Sequence, residues 1–357
     1  MTILHIDSAA LNQLFNQPGE LAVLDLRSAQ QFGKWGAPLN ASNLPFERLE
    51  EDIVRAVPRR DTAVVLVDGG DGVAEQGAQL LLELGYSAVR VLKGGIGAWA
   101  ASGFATTFSV TGNDYADQIL RAEGTPSITA QQLAGLRRDG RDSIVLDTRS
   151  LEEYSESHVP GAVSVPGAEL LQRYLDLVPA AETLVVVSCA LLARAILGAQ
   201  TLIDAGVGNP VVFLYDGTKG WRDAGFELEH GPTRVFGPYS ADAGDFAQRK
   251  TRRLQNPEIG QVDAGRIAQW RDDGARTTYL VDVRTSDEYA RDHLPGALSA
   301  PGGQLILGTF RFLAVRGARL VLIDDTGVRA ATTAHWLRRR GWEVHLHQSE
   351  PAWQAAA

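Results

Sequence analysis

The sequence is poor in sulfur nucleophiles: its 357 residues contain one cysteine, Cys189. A single thiol excludes an internal disulfide framework and suits a reducing compartment, so a cytoplasmic location is expected. Long apolar runs are also missing. None approaches the ~20 residues that cross a bilayer, and no membrane partner is expected. The start, Met-Thr-Ile-Leu-His-Ile-Asp-Ser, has neither a basic segment nor a long apolar one, so no signal peptide is expected. Positive charge is in deficit: 34 Lys and Arg against 43 Asp and Glu give a net charge of −9, which argues against nucleic acid as a partner. The basic runs Arg249-Lys250-Thr251-Arg252-Arg253 and Arg338-Arg339-Arg340 read as solvated faces. No cofactor or metal is expected. The closest approach to a cation loop, Asp68-Gly69-Gly70-Asp71, offers two carboxylates, too few for Ca²⁺. What is present, 45% hydrophobic and 22% charged residues, is an ordinary globular composition, long enough for two or three domains.

The chain repeats itself three times. Each copy opens on a short helical pattern, with Ser8, Thr129 and Asp263 as expected N-caps. A strand then ends in Asp-x-Arg: Asp25-Leu26-Arg27, Asp147-Thr148-Arg149 and Asp282-Val283-Arg284. Gln31-Phe32, Glu153-Tyr154 and Glu288-Tyr289 follow. The second and third copies continue with His158-Val159-Pro160-Gly161-Ala162 and His293-Leu294-Pro295-Gly296-Ala297, where the first has Lys34-Trp35-Gly36-Ala37-Pro38. An apolar strand comes next and stops at Asp68, Cys189 or Asp324. These lie 43, 42 and 42 residues after the Asp of Asp-x-Arg, and each is followed 17 residues later by a glycine, Gly85, Gly206 or Gly341. Every copy closes on a tryptophan: Trp99, Trp221 and Trp353. Strands alternating with helices at this spacing predict an α/β fold, three tandem modules each with a small, mainly parallel sheet flanked by helices. The expected limits are 1–107, 127–231 and 257–357, with a connector at 108–126 carrying a short helix and a linker at 232–256.

The stretch 184–206 holds the chemistry. Leu184 to Val187 reads as a buried strand, and Leu192, Ile196, Ala199 and Ile203 share one face of a following helix that Gly206 should cap. Cys189 therefore sits between a strand end and a helix N-terminus. Amide N–H groups point outward there, and the dipole should ease deprotonation of the thiol. A lone cysteine in an apolar setting is most often a small core residue. Here the repeat sets Cys189 in a loop that recurs in every copy, with Asp68 and Asp324 at the matching positions.

Taken in order, these motifs resemble the rhodanese (thiosulfate sulfurtransferase) family. The layout is similar to bacterial multi-module rhodanese-related proteins in which only some modules keep a cysteine. The resemblance implies that Cys189 takes the outer sulfur of thiosulfate, holds it as a persulfide and passes it to a thiol, which could belong to a protein, or to cyanide. It assigns substrate binding to the loop Cys189-Ala190-Leu191-Leu192-Ala193-Arg194 and to Ala195, with Arg194 on the loop's basic position. Leu192 stands where the family often has Gly, Leu191 where polar or basic residues are usual, and Ala195 where Ser is common. One positive charge is left for an anionic donor. The first and third modules, with Asp68 and Asp324, cannot do this reaction, and their acidic loops should repel an anion.

Supporting residues have plainer readings. Asp147 and Arg149 recur in copies without cysteine, as an ion pair or loop tie, with Glu153 in the same network. His158 could act as a general base, but His293 matches it beside a cysteine-less loop, which favours fixing a turn. The tryptophans read as anchors. Lys219 belongs to the cysteine copy alone and reads as a solvated lysine, with donor steering the alternative. Two other functions stay open: a non-catalytic or sulfur-carrying scaffold that binds partner proteins, and a phosphatase. The phosphatase ranks last, because its loop places Arg six residues after Cys and Arg194 is five after Cys189.

Overall fold

The computed structural model describes residues 3–106, 112–178 and 180–349. The expected α/β module is there three times. In the first sheet the strands run in the order Leu4–Ile6, Val89–Leu92, Ala63–Val67, Leu21–Asp25, with Ser42–Asn43 also on Leu21–Asp25. These pairings are parallel. Val315–Arg316 adds an antiparallel edge to the same sheet. The second sheet is wholly parallel: Ser127–Ile128, Val211–Leu214, Leu184–Ser188, Ser143–Asp147, Val163–Ser164. The third repeats that order with Gly260–Gln261, Glu343–Gln348, Arg319–Asp324, Thr278–Asp282 and Leu298–Ser299. The chain forms two compact units, one of residues 1–111, 262–280 and 308–321, the other of 112–261, 281–307 and 322–357.

The central strands are β-branched runs buried on both faces, as a parallel sheet under helices requires. Val64 to Val67 and Val185 to Val187 are fully buried. In the second unit the helices Leu170–Leu177, Ala193–Ala205 and Val328–Arg339 share one core, in which Leu170, Leu171, Ile196, Leu202, Val328 and Trp336 are buried. Trp336 Nε1 donates to Thr201 Oγ1 at 2.8 Å, satisfying the polar atom its burial strands. Each large apolar side chain removed from water here contributes about 1.5–3 kcal/mol.

Local signals start the helices. Thr129 caps Ala130–Arg138 in a box with Gln132, and Asp263 caps Ala264–Asp272. The first copy differs from expectation: Asp7 is the cap, its carboxylate accepting from Ala10 N, and Ser8 is the first helical residue. Gly206 ends Ala193–Ala205 with φ +67°, as expected. The connector carries the helix Gly112–Glu123. Residues 232–256 are more than a linker, because Ala241–Thr251 folds into a helix capped by Ser240. Neither basic run is simply solvated. Lys250 donates to the carbonyl of Gly206, Arg338 pairs with Glu258 and Arg339 with Glu123. These cations meet a helix-end carbonyl and carboxylates of neighbouring segments. Among the described residues, no helix is long and apolar enough to cross a membrane. Trp353 lies outside the described residues.

Candidate active site

The register of the second sheet brings three loops to one edge. Asp147 pairs with Ser188, and Phe213 with Val187, so all three strands end together. Loops at the carboxyl ends of parallel strands form the usual crevice of an α/β sheet. Cys189 follows the central strand, and the helix Ala193–Ala205 starts four residues later.

The loop is held from behind. Thr218 N donates to the carbonyl of Cys189 at 2.9 Å, and Lys219 N to that of Ala190 at 3.3 Å. Gly217, at φ +51°, lies so close that a Cβ would stand 2.0 Å from the Cys189 oxygen, so only glycine fits. From the other side Thr148 N and Oγ1 both donate to the carbonyl of Ser188, at 2.9 and 3.0 Å.

The backbone N–H groups of Ala195 and Leu191 favour the charged form of the Cys189 sulfur. The residue is only 2% exposed. Burial pushes its thiol pKa above the ordinary value, outweighing the Ala195 and Leu191 amides and the Arg194 charge. The expectation that the helix N-terminus frees the proton is thus overturned for the resting site. Desolvation of a fully enclosed sulfur exceeds what two amides and one partly neutralised cation return.

Arg194 is that partly neutralised cation. It forms a two-pronged pair with Glu153, with Nη1 to Oε2 at 2.5 Å and Nη2 to Oε1 at 2.7 Å. Arg194 holds the Glu153 carboxyl below its ordinary pKa, against a smaller push from burial. Glu153 is hydrogen-bonded to Arg194, and the Arg149 charge acts on it as well, so the network expected around Asp147 and Arg149 extends to Arg194. The repeats carried the clue. The third copy has Glu288 with Arg329 at the same positions, whereas the first has Gln31 with Val73, so the acid and the base are kept or lost together.

The remaining residues fall as structural parts. Asp147 and Arg149 form a buried pair, with Nε to Oδ1 at 2.9 Å and Nη2 to Oδ2 at 2.7 Å, and Arg149 also donates to the carbonyl of Ser157. Arg27 and Arg284 make the same pair in the other copies. His158 is fully buried and stacked on Tyr154 at 3.7 Å. Its ring nitrogens are engaged by the carbonyl of Tyr154 and by Thr233 Oγ1, leaving neither for proton transfer to a donor. Trp221 is buried and donates to the carbonyl of Glu227 at 2.9 Å, as Trp99 does to Ala105. Lys219 is exposed and paired with Asp223.

The matching loops of the other copies hold a carboxyl group in the same cradle. In the first, Asp68 accepts from Gly70 N, Gly72 N and Ala74 N at 2.8, 3.0 and 3.1 Å. In the third, Asp324 accepts from Gly327 N at 2.8 Å and Arg329 N at 3.0 Å. Repulsion is thus the lesser effect there, since each loop's donors are already taken by its own side chain. Helix-start glycines at positive φ, Gly72 and Gly327, shape both loops. Leu192, which matches Gly327, takes φ −128° instead, so the cysteine loop follows its own path. Among the described residues there is no cluster of three or more metal-ligating side chains.

A three-fold repeat of parallel α/β modules, each with a loop between the central strand and a helix start, defines one recurring domain type. The family model for the rhodanese-like domain matches residues 7–102, 129–224 and 263–356, and the chain belongs to that family. A crystal structure of a thiosulfate sulfurtransferase from Pseudomonas aeruginosa is 40% identical with a TM-score of 0.90, covering 97% of this chain and 66% of that one. An HTH-type transcriptional regulator of Mycobacterium tuberculosis is 34% identical over 110 residues, 30% of this chain and 47% of the regulator. The chain thus spans about half of the curated relative and 66% of the solved one.

Proposed function

We propose that the protein is a sulfurtransferase whose second module, 127–231, does the chemistry through Cys189, while the modules at 1–107 and 257–357 are catalytically silent. Sulfane sulfur passes from thiosulfate or a related donor to Cys189, which holds it as a persulfide, and then to a thiol or cyanide. The observation that carries this reading is the pair of aspartates. A carboxyl oxygen lies two bonds beyond Cβ, and so does the outer sulfur of a cysteine persulfide. Asp68 and Asp324 present an acceptor at that distance to the N–H groups of their loops. The sister loop around Cys189 keeps the Leu191 and Ala195 amides for the same task. The thiolate attacks the outer sulfur of thiosulfate, the bond to the sulfonate sulfur breaks, and sulfite leaves with its electron pair.

Intact-mass measurement after exposure to thiosulfate tests this. One added sulfur atom is expected, removed by cyanide or a thiol and absent from Cys189→Ser. Sulfur retained by the variant would end the single-site mechanism, because the sequence has no other thiol.

A further inference from the structure

The charge around Cys189 is unlike what a dianionic donor calls for. Arg194, the cation whose charge reaches the sulfur, is paired through both terminal nitrogens with Glu153. The other ionic groups behind the loop, Asp147 and Arg149, cancel each other in a buried pair. Lys219, whose backbone ties down Ala190, carries its charge to Asp223. The segments after the three strands present exposed apolar side chains instead: Leu151, at the start of its helix, at 41%, Leu191 at 40% and Tyr215 at 48%.

We propose that Glu153 sets the donor class of this site. By neutralising Arg194 it favours a monoanionic sulfur donor bearing an apolar group, of the organic thiosulfonate type, over dianionic thiosulfate. The inference rests on the reading of Cys189 as the sulfur acceptor. The step balances: the Cys189 thiolate attacks the outer sulfur of R–SO₂–S⁻, and the bond from that sulfur to the sulfonyl sulfur breaks. R–SO₂⁻ leaves with the electron pair, and Cys189–S–S⁻ remains. The leaving sulfinate carries one charge where sulfite carries two, and its R group can lie on the apolar rim.

Glu153 is a specificity residue that acts through Arg194, and it can be altered without losing its helix. It closes a capping box with Ser150, and in the first module Gln31 closes the same box with Ser28. Glu153→Gln therefore keeps the cap and removes only the charge. Thiosulfate and benzenethiosulfonate are supplied separately, and the rate of sulfur loading on Cys189 is read by mass. The wild type should load faster from benzenethiosulfonate. Glu153→Gln should raise the thiosulfate-to-thiosulfonate rate ratio by about fivefold, roughly one unit-charge interaction at the dielectric of water. Glu153→Asp, which keeps the charge, should stay near the wild-type ratio. A ratio unmoved in Glu153→Gln, or moved equally in Glu153→Asp, would reduce the pair to a structural tie and overturn the inference. Wild-type protein loading from neither donor would instead refute the sulfurtransferase reading itself.

Discussion

The loop at Cys189 and the loop at Asp324 are the same device put to opposite uses. Both follow a central strand, and both carry an arginine five residues on, paired with a glutamate from the helix after Asp-x-Arg. In the second module that arginine is a quarter exposed and has one partner, so the loop stays open to a ligand. In the third, Arg329 is 1% exposed and reaches Glu169, Glu288 and Asp325, with Asp324 at 4.0 Å. Glu169 comes from the second module. Thr326, in the same loop, donates to Gln172 Oε1 at 3.0 Å. The third loop is fastened onto the neighbouring module. Glu288 shows how tightly: burial opposes its charge, yet Arg329 and Thr285 bring its pKa down to about 2. On the proposed reading, a loop that binds no ligand is free to bury its polar groups against protein. One that must bind cannot, because the same donors have to remain available.

The largest test of that contrast is to remove each arginine. Arg329→Leu leaves several carboxyl groups buried without their cation and should cost about 3–5 kcal/mol in urea unfolding. Arg194→Leu breaks a partly exposed pair and should cost under about 1 kcal/mol. Equal losses would mean that the two loops do not differ in role.

A smaller effect is expected at the first module. Asp68→Ala strips the acceptor from Gly70, Gly72 and Ala74 and should destabilise by about 1–3 kcal/mol. Cys189→Ala removes a weaker acceptor from its cradle and should cost less. If Asp68→Ala were neutral, the carboxyl would not be holding its loop.

The smallest and sharpest test concerns protons. Burial holds the Cys189 thiol pKa above its ordinary value of 9.0, so alkylation by iodoacetamide, which follows the thiolate, should still be rising at that pH. A rate that levels off in the neutral range would show that the helix N-terminus wins over desolvation after all.

Much of this molecule was legible in its sequence because the chain carries its own comparison. Three copies of Asp-x-Arg, three loops at one spacing and the glycine after each fixed the modules, the order of elements and the position of Cys189. The N-cap at Asp7 was missed by one residue, since Asp and Ser are adjacent and both are good caps. The helix at 241–251 was hidden in a stretch rich in Gly and Pro around it. The direct pair of Glu153 with Arg194 was missed because Arg149 is four residues away and Arg194 is 41. Only a sheet that ends three strands at one edge brings the distant arginine closer.

Sequence alone determined which loop carries the thiol, since a thiol is a local property and just one module has it. Tertiary structure decided the state of that thiol, the charge that surrounds it and the fate of the silent loops. Those depend on desolvation and on which charges meet across the fold, and neither is a function of distance along the chain.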